Sequence, residues 1–266
     1  MTKKPTDRRP RGAKPAPRDG RLAEVTVSAL GGRGDGLAAG PRGPLFIPHA
    51  APGDRLRVRI GERVGDGWRG EIAERLEAGP GYEKPPCPQF GVCGGCAVQQ
   101  LAAAAYEAWK RGLAVDALAR RGFDGDVVGA LRRVPDRTRR RARIQACGAK
   151  GGAALGFHAP QSHRVAPLDG CLVLRPEILR LRAPLGRLLS RLLAPGERAE
   201  AAVTVTEAGL DVTLGLGKAP DLALREQLVE FALTADLARL CWRPMGRNAA
   251  APEPVMQQRA PRVMFG

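Results

Sequence analysis

The sequence predicts an α+β protein with more than one domain: a small N-terminal β-barrel, then an α+β domain with an antiparallel sheet that carries a metal cluster. Short alternating strands near the N-terminus predict the barrel. The later order of two strands, a helix, two strands and a helix predicts the second domain. A group of cysteines lies between them. With 266 residues, 44% of them hydrophobic, the chain is long enough for two modest domains.

Composition divides the chain into four segments. The first is rich in charge and proline, cannot bury apolar surface, and is expected to be a disordered basic tail. The predicted limits are residues 1–20 for this tail, 21–80 for the barrel, 81–245 for the α+β domain and 246–266 for a linker.

Residues 21–80 contain short apolar runs separated by turns, as in the alternation of Leu56, Val58 and Ile60. Such runs predict a small closed barrel. The glycine cluster at 31–36 is interpreted as a hairpin turn rather than a phosphate-binding loop, because no helix follows it directly and no downstream acidic partner is found.

Apolar spacing predicts a helix over 99–121, which Gly122 ends. Further along, the patterns predict strands at 141–148 and 153–158, a helix at 176–193 kinked at Pro184, a hairpin of 202–206 and 210–214, and a helix at 221–233.

Three cysteines, Cys87, Cys93 and Cys96, lie within ten residues. The Gly94–Gly95 pair is expected to let the backbone turn so that Cys93 and Cys96 face one metal centre. Soft thiolates at this spacing favour zinc or an iron–sulfur cluster, and spacing alone does not decide between them. Either metal commonly takes a fourth thiolate.

Three further cysteines could supply that fourth ligand. Cys171 follows Asp169 and Gly170 in a predicted turn, which can present its sulfur outward. Cys147 lies within a predicted strand and Cys241 in an apolar run, so both are interpreted as ordinary buried cysteines.

Basic residues outnumber acidic ones by 43 to 27, which gives a net charge of +16. This excess indicates an anionic partner such as nucleic acid. The segment 132–143 is the best candidate for RNA contact within the central domain. On a strand, Arg139, Arg141 and Arg143 share one face while Arg140 points the other way. The residues predicted to bind RNA are Arg132, Arg133, Arg139, Arg141 and Arg143.

No apolar stretch approaches the roughly 20 residues of a membrane span. The N-terminus also lacks the apolar core of a signal peptide. The sequence therefore predicts a cytoplasmic protein without a membrane partner, in which structural disulfides are uncommon.

Several motifs resemble those of the bacterial iron–sulfur RNA (uracil-5-)-methyltransferases. The residues that carry this resemblance are the run Cys87–Cys96, Gln99–Leu101, Tyr106, Lys110, Leu155–Phe157, Ser162–His163 and Asp169–Cys171. The early strands resemble the RNA-binding, OB-like TRAM domain through Gly34–Gly36, Phe46–Pro48 and Pro52–Asp54. The resemblance implies a [4Fe–4S] cluster on Cys87, Cys93, Cys96 and Cys171. It also implies an RNA substrate. By family analogy alone, the TRAM domain suggests that this RNA is ribosomal.

The resemblance leaves out the family's catalytic part. Residues 172–266 show no glycine-rich turn for S-adenosylmethionine, no nucleophile motif and no paired glutamate base. We therefore expect no catalytic or S-adenosylmethionine-binding residues in this chain, and a linker tail that is poorly ordered by itself. The family also often has an aromatic residue where Thr138 stands.

Three functions are compatible with these motifs. The first is the front portion of an RNA methyltransferase, with a separately encoded methyltransferase half as a possible partner. The second is an RNA-binding iron–sulfur or zinc module without catalysis. The third, a radical iron–sulfur enzyme, is disfavoured because a fourth ligand at Cys171 would close the cluster.

Overall fold

The structure is a computed structural model that describes residues 20–246 and 250–264. The predicted basic tail, apart from residue 20, lies outside these residues. The chain divides into two compact units: residues 1–85 with 97–131, and residues 86–96 with 132–266. The predicted domain limits, which treat each domain as one continuous range, stay predictions.

Five strands form a closed barrel in the first unit, as the sequence predicts. They are β1 (Leu22–Leu30), β2 (Gly36–Gly40), β3 (Gly43–Ile47), β4 (Arg55–Val64) and β5 (Gly67–Glu77). Around the barrel the order is β1-β2-β3-β5-β4. Strands β3 and β5 are parallel, and the other neighbouring pairs are antiparallel.

The barrel core follows directly from alternation along the strands. Leu56, Val58 and Ile60 on β4 are almost fully buried, and so are Leu45 and Ile47 on β3. Alternate side chains point to opposite faces of a strand, so one apolar residue in two is enough to fill a small barrel.

The glycine cluster at 31–36 is a hairpin loop between β1 and β2, which confirms the predicted turn. It lies against α1 (Ala103–Ala119), since the indole N–H of Trp109 donates to the carbonyl oxygen of Gly31 at 3.1 Å. At Gly34 a Cβ atom would stand 2.4 Å from Val98. Glycine is therefore required there for close packing and for its φ of +88°.

The second unit contains a seven-stranded sheet and two helices. Its elements are β6 (Arg141–Ala149), β7 (Gly152–His158), β8 (Val165–Pro167), α2 (Pro176–Leu192), β9 (Arg198–Thr206), β10 (Gly209–Leu216), α3 (Leu222–Thr234), β11 (Leu237–Pro244) and β12 (Glu253–Gln257). The strand order is β12-β11-β10-β9-β6-β7-β8.

Both helices contribute to one hydrophobic core on one face of this sheet. Leu185 and Leu189 of α2 and Leu228 of α3 are fully buried there, together with Ile144 of β6 and Val212 of β10. Helix α2 continues through Pro184, at which the sequence predicts a kink.

The sheet is mixed, which corrects the prediction of an antiparallel sheet. Strands β10 and β11 are parallel because α3 carries the chain back before β11 begins, and such a crossover makes the two strands parallel. All other neighbouring pairs in this sheet are antiparallel.

The C-terminal tail is better ordered than predicted. Residues 253–257 form β12, an edge strand antiparallel to β11, and Val255 and Met256 pack against the core. Pro254 is tolerated because an edge strand has one side on which no N–H is needed. The expectation of a poorly ordered tail is therefore wrong for this segment.

Within the described residues, no helix is both long enough and apolar enough to cross a membrane.

Candidate cysteine site and basic surface

The cysteine loop, residues 87–96, is built from short turns. The N–H of Phe90 donates to the carbonyl oxygen of Cys87 at 3.1 Å, and the N–H of Cys93 donates to that of Gln89 at 2.8 Å. Gly91 has a φ of +82°, which favours glycine. These turns bring Cys87 and Cys93 back toward each other over six residues.

Gly94 and Gly95 fix this loop to β7. The N–H of Gly94 donates to the carbonyl oxygen of His158 at 2.9 Å, and a Cβ atom at Gly94 would stand 2.7 Å from that oxygen. A Cβ at Gly95 would lie 3.3 Å from both the Cys93 sulfur and the Phe157 ring. The glycine pair therefore permits close approach to the sheet, and neither glycine has the positive φ of a left-handed turn.

Cys171 lies in a turn between β8 and α2, where the sequence places it. The N–H of Cys171 donates to the carbonyl oxygen of Leu168 at 3.1 Å, and Gly170 has a φ of +70°. A Cβ atom at Gly170 would stand 3.1 Å from Pro88. The turn that carries Cys171 therefore lies against the residue that follows Cys87.

Two other thiols influence the ionisation of Cys93. Burial raises the pKa of the Cys93 thiol, and the nearby thiols of Cys171 and Cys87 raise it further. The N–H of Gly95, 3.3 Å from the Cys93 sulfur, opposes these effects because it stabilises the thiolate. A cation at this site would reverse the balance and favour deprotonation.

The thiols fit an iron–sulfur cluster or zinc in donor chemistry but are not arranged as ligands. All six cysteines are free, so none is held in a disulfide. Across residues 20–246 and 250–264, however, no three His, Cys, Asp or Glu side chains converge in a group that could hold a metal ion. The assignment of Cys87, Cys93, Cys96 and Cys171 as ligands stays a prediction.

The other two cysteines stand apart from this loop. Cys147 is half-buried on β6, and its thiol lies 3.6 Å from the carbonyl oxygen of Gly148. Cys241 on β11 is buried, and this burial raises the pKa of its thiol. Nearby Arg239 lowers that pKa and Asp211 raises it. A thiol with a raised pKa is mostly protonated at neutral pH and is a poor nucleophile.

The basic strand alternates as predicted. Arg141 and Arg143 on β6 are exposed, whereas Ala142 between them packs against the core. Arg140 differs, since it is half-buried, donates to the carbonyl oxygen of Val205 and pairs with Glu207 at 2.9 Å. The predicted contacts Arg132, Arg133 and Arg139 are also exposed, in the segment before β6. RNA contact by these residues stays a prediction.

Sequence reasoning missed the arginines at the start of α2 that join part of the basic segment 132–143. Arg175 and Arg180, at the start of α2, line one depression together with Arg137 and Arg140. About 40 residues separate the two halves of this group. No local sequence pattern predicts this group, because the two halves meet only through the parallel bridge between Arg139 and Leu174.

Comparisons with known proteins reveal related sequences. No protein-family model matches the chain. An uncharacterized RNA methyltransferase of Brucella suis is 35% identical over 92% of this chain and 56% of that protein. The 23S rRNA (uracil(1939)-C(5))-methyltransferase RlmD of Chromohalobacter salexigens is 33% identical over 91% of this chain and 51% of that protein. The chain is homologous to bacterial RNA methyltransferases. It spans about half the length of the curated relatives it matches.

A solved structure agrees with the fold. The tRNA (uracil-54, C5)-methyltransferase of Pyrococcus abyssi superimposes with a TM-score of 0.54 over 87% of this chain and 54% of that one. Sequence identity is 18%, so this likeness supports the fold alone.

Proposed function

We propose that this chain is the RNA-binding, [4Fe–4S]-carrying N-terminal portion of an S-adenosylmethionine-dependent RNA uracil-5-methyltransferase. The observation that carries the proposal is the homology to RNA methyltransferases along nine-tenths of the chain. The relatives named for uracil-5 chemistry suggest the reaction. Those named for 23S rRNA suggest ribosomal RNA as the substrate, and we place the protein in the cytoplasm.

Cys87, Cys93, Cys96 and Cys171 would hold the cluster. The electrostatic coupling of three of these thiols and the N–H of Gly95 beside the Cys93 sulfur support this set. A bound cluster would tie the cysteine loop to the turn before α2, and its contribution in this proposal is structural. Zinc on the same thiolates is the alternative, which metal analysis separates from iron.

Methyl transfer would occur outside residues 1–266. Carbon 5 of uracil is a poor nucleophile until a thiolate adds to carbon 6, after which a base must remove the carbon-5 proton. The cysteines not assigned to the cluster suit this task badly: Cys241 is buried with a raised pKa, and Cys147 lies on a strand beside a backbone carbonyl. A separately encoded or adjoining methyltransferase half would supply the thiolate, the base and the methyl-donor pocket.

The methylation test uses labelled S-adenosylmethionine and unmodified ribosomal RNA. We expect no incorporation with this chain alone and incorporation when a separately expressed catalytic half of a relative is added. The matched control is that half without this chain. Incorporation by the isolated chain would contradict the proposed division of labour.

RNA binding is tested by replacing the basic strand. Each Arg–phosphate contact with single-stranded RNA adds about 0.7 to the slope of log K against log salt. We expect the triple change of Arg139, Arg141 and Arg143 to Ala to weaken binding and to lower this slope by up to about 2. An unchanged slope in an otherwise RNA-binding protein would remove this strand from the site.

A further inference from the structure

A basic depression of about 630 Å³ lies where the segment before β6 meets the start of α2. Four arginines line it, Arg137, Arg140, Arg175 and Arg180, together with the carboxylate of Glu177. Concave shape and several guanidiniums in one place distinguish it from the solvated arginines elsewhere on the surface.

Protein carboxylates balance only two of the four arginines in this depression, counted among the described residues. Arg175 pairs with Glu177 at 2.9 Å, and Arg140 is held by Glu207. Arg137 and Arg180 form no ion pair with any residue in the described part of the chain. Arg180 lies near enough to lower the pKa of Glu177, whose own backbone N–H is the main cause of that lowering. Glu177 is therefore ionised at neutral pH. Among the described residues that line the depression, it is the one acidic residue beside four arginines.

The backbone at Arg137 is held in an unfavourable conformation. Its φ is +60°, in the left-handed region that favours glycine. The N–H of Arg137 donates to the carbonyl oxygen of Leu172 at 2.8 Å, and the N–H of Arg175 donates to that of Arg139 at 3.1 Å. These bonds fix the strained residue beside α2. A strained arginine where glycine would be relaxed is typical of a functional position.

We propose that this depression binds a phosphate group of the RNA backbone, with Arg137 and Arg180 as its principal ligands. The inference rests on the proposed RNA-binding function and adds to it a defined phosphate subsite, distinct from the exposed face of β6. The planar guanidinium forks can bind phosphate oxygens in a bidentate manner. Glu177 limits affinity, because its carboxylate repels the incoming anion while it holds Arg175 in place.

The test compares two double variants with the same loss of charge. R137G/R180A removes the two unpaired guanidiniums, and the glycine relieves the strained φ. R187A/R191A removes two exposed arginines from the same helix that also lack ion-pair partners within the described residues; Arg187 lies about 10 Å along α2 from Arg180. Affinity for a single-stranded RNA oligonucleotide of mixed sequence is measured at several salt concentrations.

We expect R137G/R180A to raise the Kd about tenfold and to reduce the salt slope by about 0.7. Its melting temperature should not fall, because glycine suits position 137. R187A/R191A should change the Kd less than about twofold. E177Q should bind RNA more tightly than the wild type, since it keeps a hydrogen-bonding side chain but removes the competing charge.

The outcomes separate the subsite from the proposed function. If the wild type binds RNA and the two double variants have equal affinities and equal salt slopes, the phosphate subsite is overturned and the proposed function stands. Absence of RNA binding by the wild type overturns both. Calorimetry with inorganic phosphate is the remaining arm: phosphate binding that R137G/R180A abolishes, without any change in RNA affinity, would indicate a site for free phosphate and overturn the proposal.

Discussion

Asp54 in the barrel and Cys93 in the cysteine loop both lie beside backbone N–H groups, but the two side chains differ in how far protein atoms compensate their negative charge. The Asp54 carboxylate is fully buried, accepts from the N–H of Ala51 at 2.7 Å and of Gly79 at 2.9 Å, and pairs with Arg75. The Cys93 thiol has the N–H of Gly95 and, nearby, other thiols that raise its pKa. Protein atoms satisfy the Asp54 carboxylate, whereas the Cys93 thiol has no positive partner among the described residues.

From this difference we infer that the cysteine loop needs a bound cation, whereas the Asp54 site does not. The Arg75 guanidinium also lies 3.9 Å from the centre of the Tyr82 ring, so both sides of the Asp54 pair are enclosed by the barrel unit itself. A group of thiols that repel one another's ionisation is stabilised only when a cation joins them. We therefore expect the barrel to be indifferent to metal and the cysteine loop to depend on it.

The largest expected effect is the loss of metal from the cysteine loop. Anaerobically purified wild type should contain about four irons per chain, and C93S should contain almost none, because a [4Fe–4S] cluster needs its thiolate ligands. The matched control is C147S, which changes a half-buried cysteine of the same unit. Iron and sulfide analysis gives the measurement.

Two results would contradict the cluster assignment. Stoichiometric zinc without iron would overturn the metal but retain the ligands. Equal iron in the wild type and in C171S, with loss in C147S, would overturn the assignment of Cys171. Removal of the metal with a chelator should destabilise the second unit and leave the urea unfolding of the barrel unchanged.

The next effect concerns the buried ion pair of the barrel. Replacement of Asp54 by Ala leaves Arg75 without its anion and two N–H groups without their acceptor, so the free energy of unfolding should fall by about 3–5 kcal/mol. The control is E77Q, which breaks the exposed pair between Arg55 and Glu77 and should cost below about 1 kcal/mol. Comparable losses in urea unfolding for the two variants would show that Asp54 has no special role.

Local sequence patterns predicted much of this fold, and the failures have physical causes. The barrel strands were predictable because one buried face imposes alternation, as at Leu56, Val58 and Ile60. Strand β11 was missed because Leu237–Trp242 is a largely apolar run, buried on both faces, in which alternation disappears. Without β11 the parallel crossover through α3 could not be foreseen.

The candidate site divides in the same way. The close spacing of three cysteines predicts a metal site at Cys87, Cys93 and Cys96. The turn at Asp169–Cys171 suggests a fourth thiol. Asp54 could not be recognised, since an aspartate after proline and glycine is an ordinary turn residue until tertiary structure buries it. The four arginines of the basic depression come from two segments that are distant in sequence, so only the fold brings them together.

The smallest expected effect is a proton-dependent one in the barrel, at His49. Burial lowers the pKa of this imidazole, Asp35 raises it and Arg69 lowers it, and the net direction is below its ordinary value of 6.5. Above pH 6.5 the His49 imidazole is neutral in both the folded and the unfolded state, so its titration costs no stability there. Below it the unfolded chain takes up the proton first, so stability falls as the pH drops through 6.5 toward the folded-state pKa.

We expect this change to stay below about 1 kcal/mol, because His49 is only half-buried and solvent screens its charge. The variant H49N removes the titration while tolerating the φ of +63° at this position, since asparagine adopts the left-handed region readily. The urea midpoint of the barrel at pH 7.5 and at pH 5.5 should differ less in H49N than in the wild type. The control H163N changes an exposed histidine of the second unit and should leave that difference unaltered. An equal pH dependence in wild type and H49N would mean that carboxylates, and not this imidazole, set the acid sensitivity of the barrel.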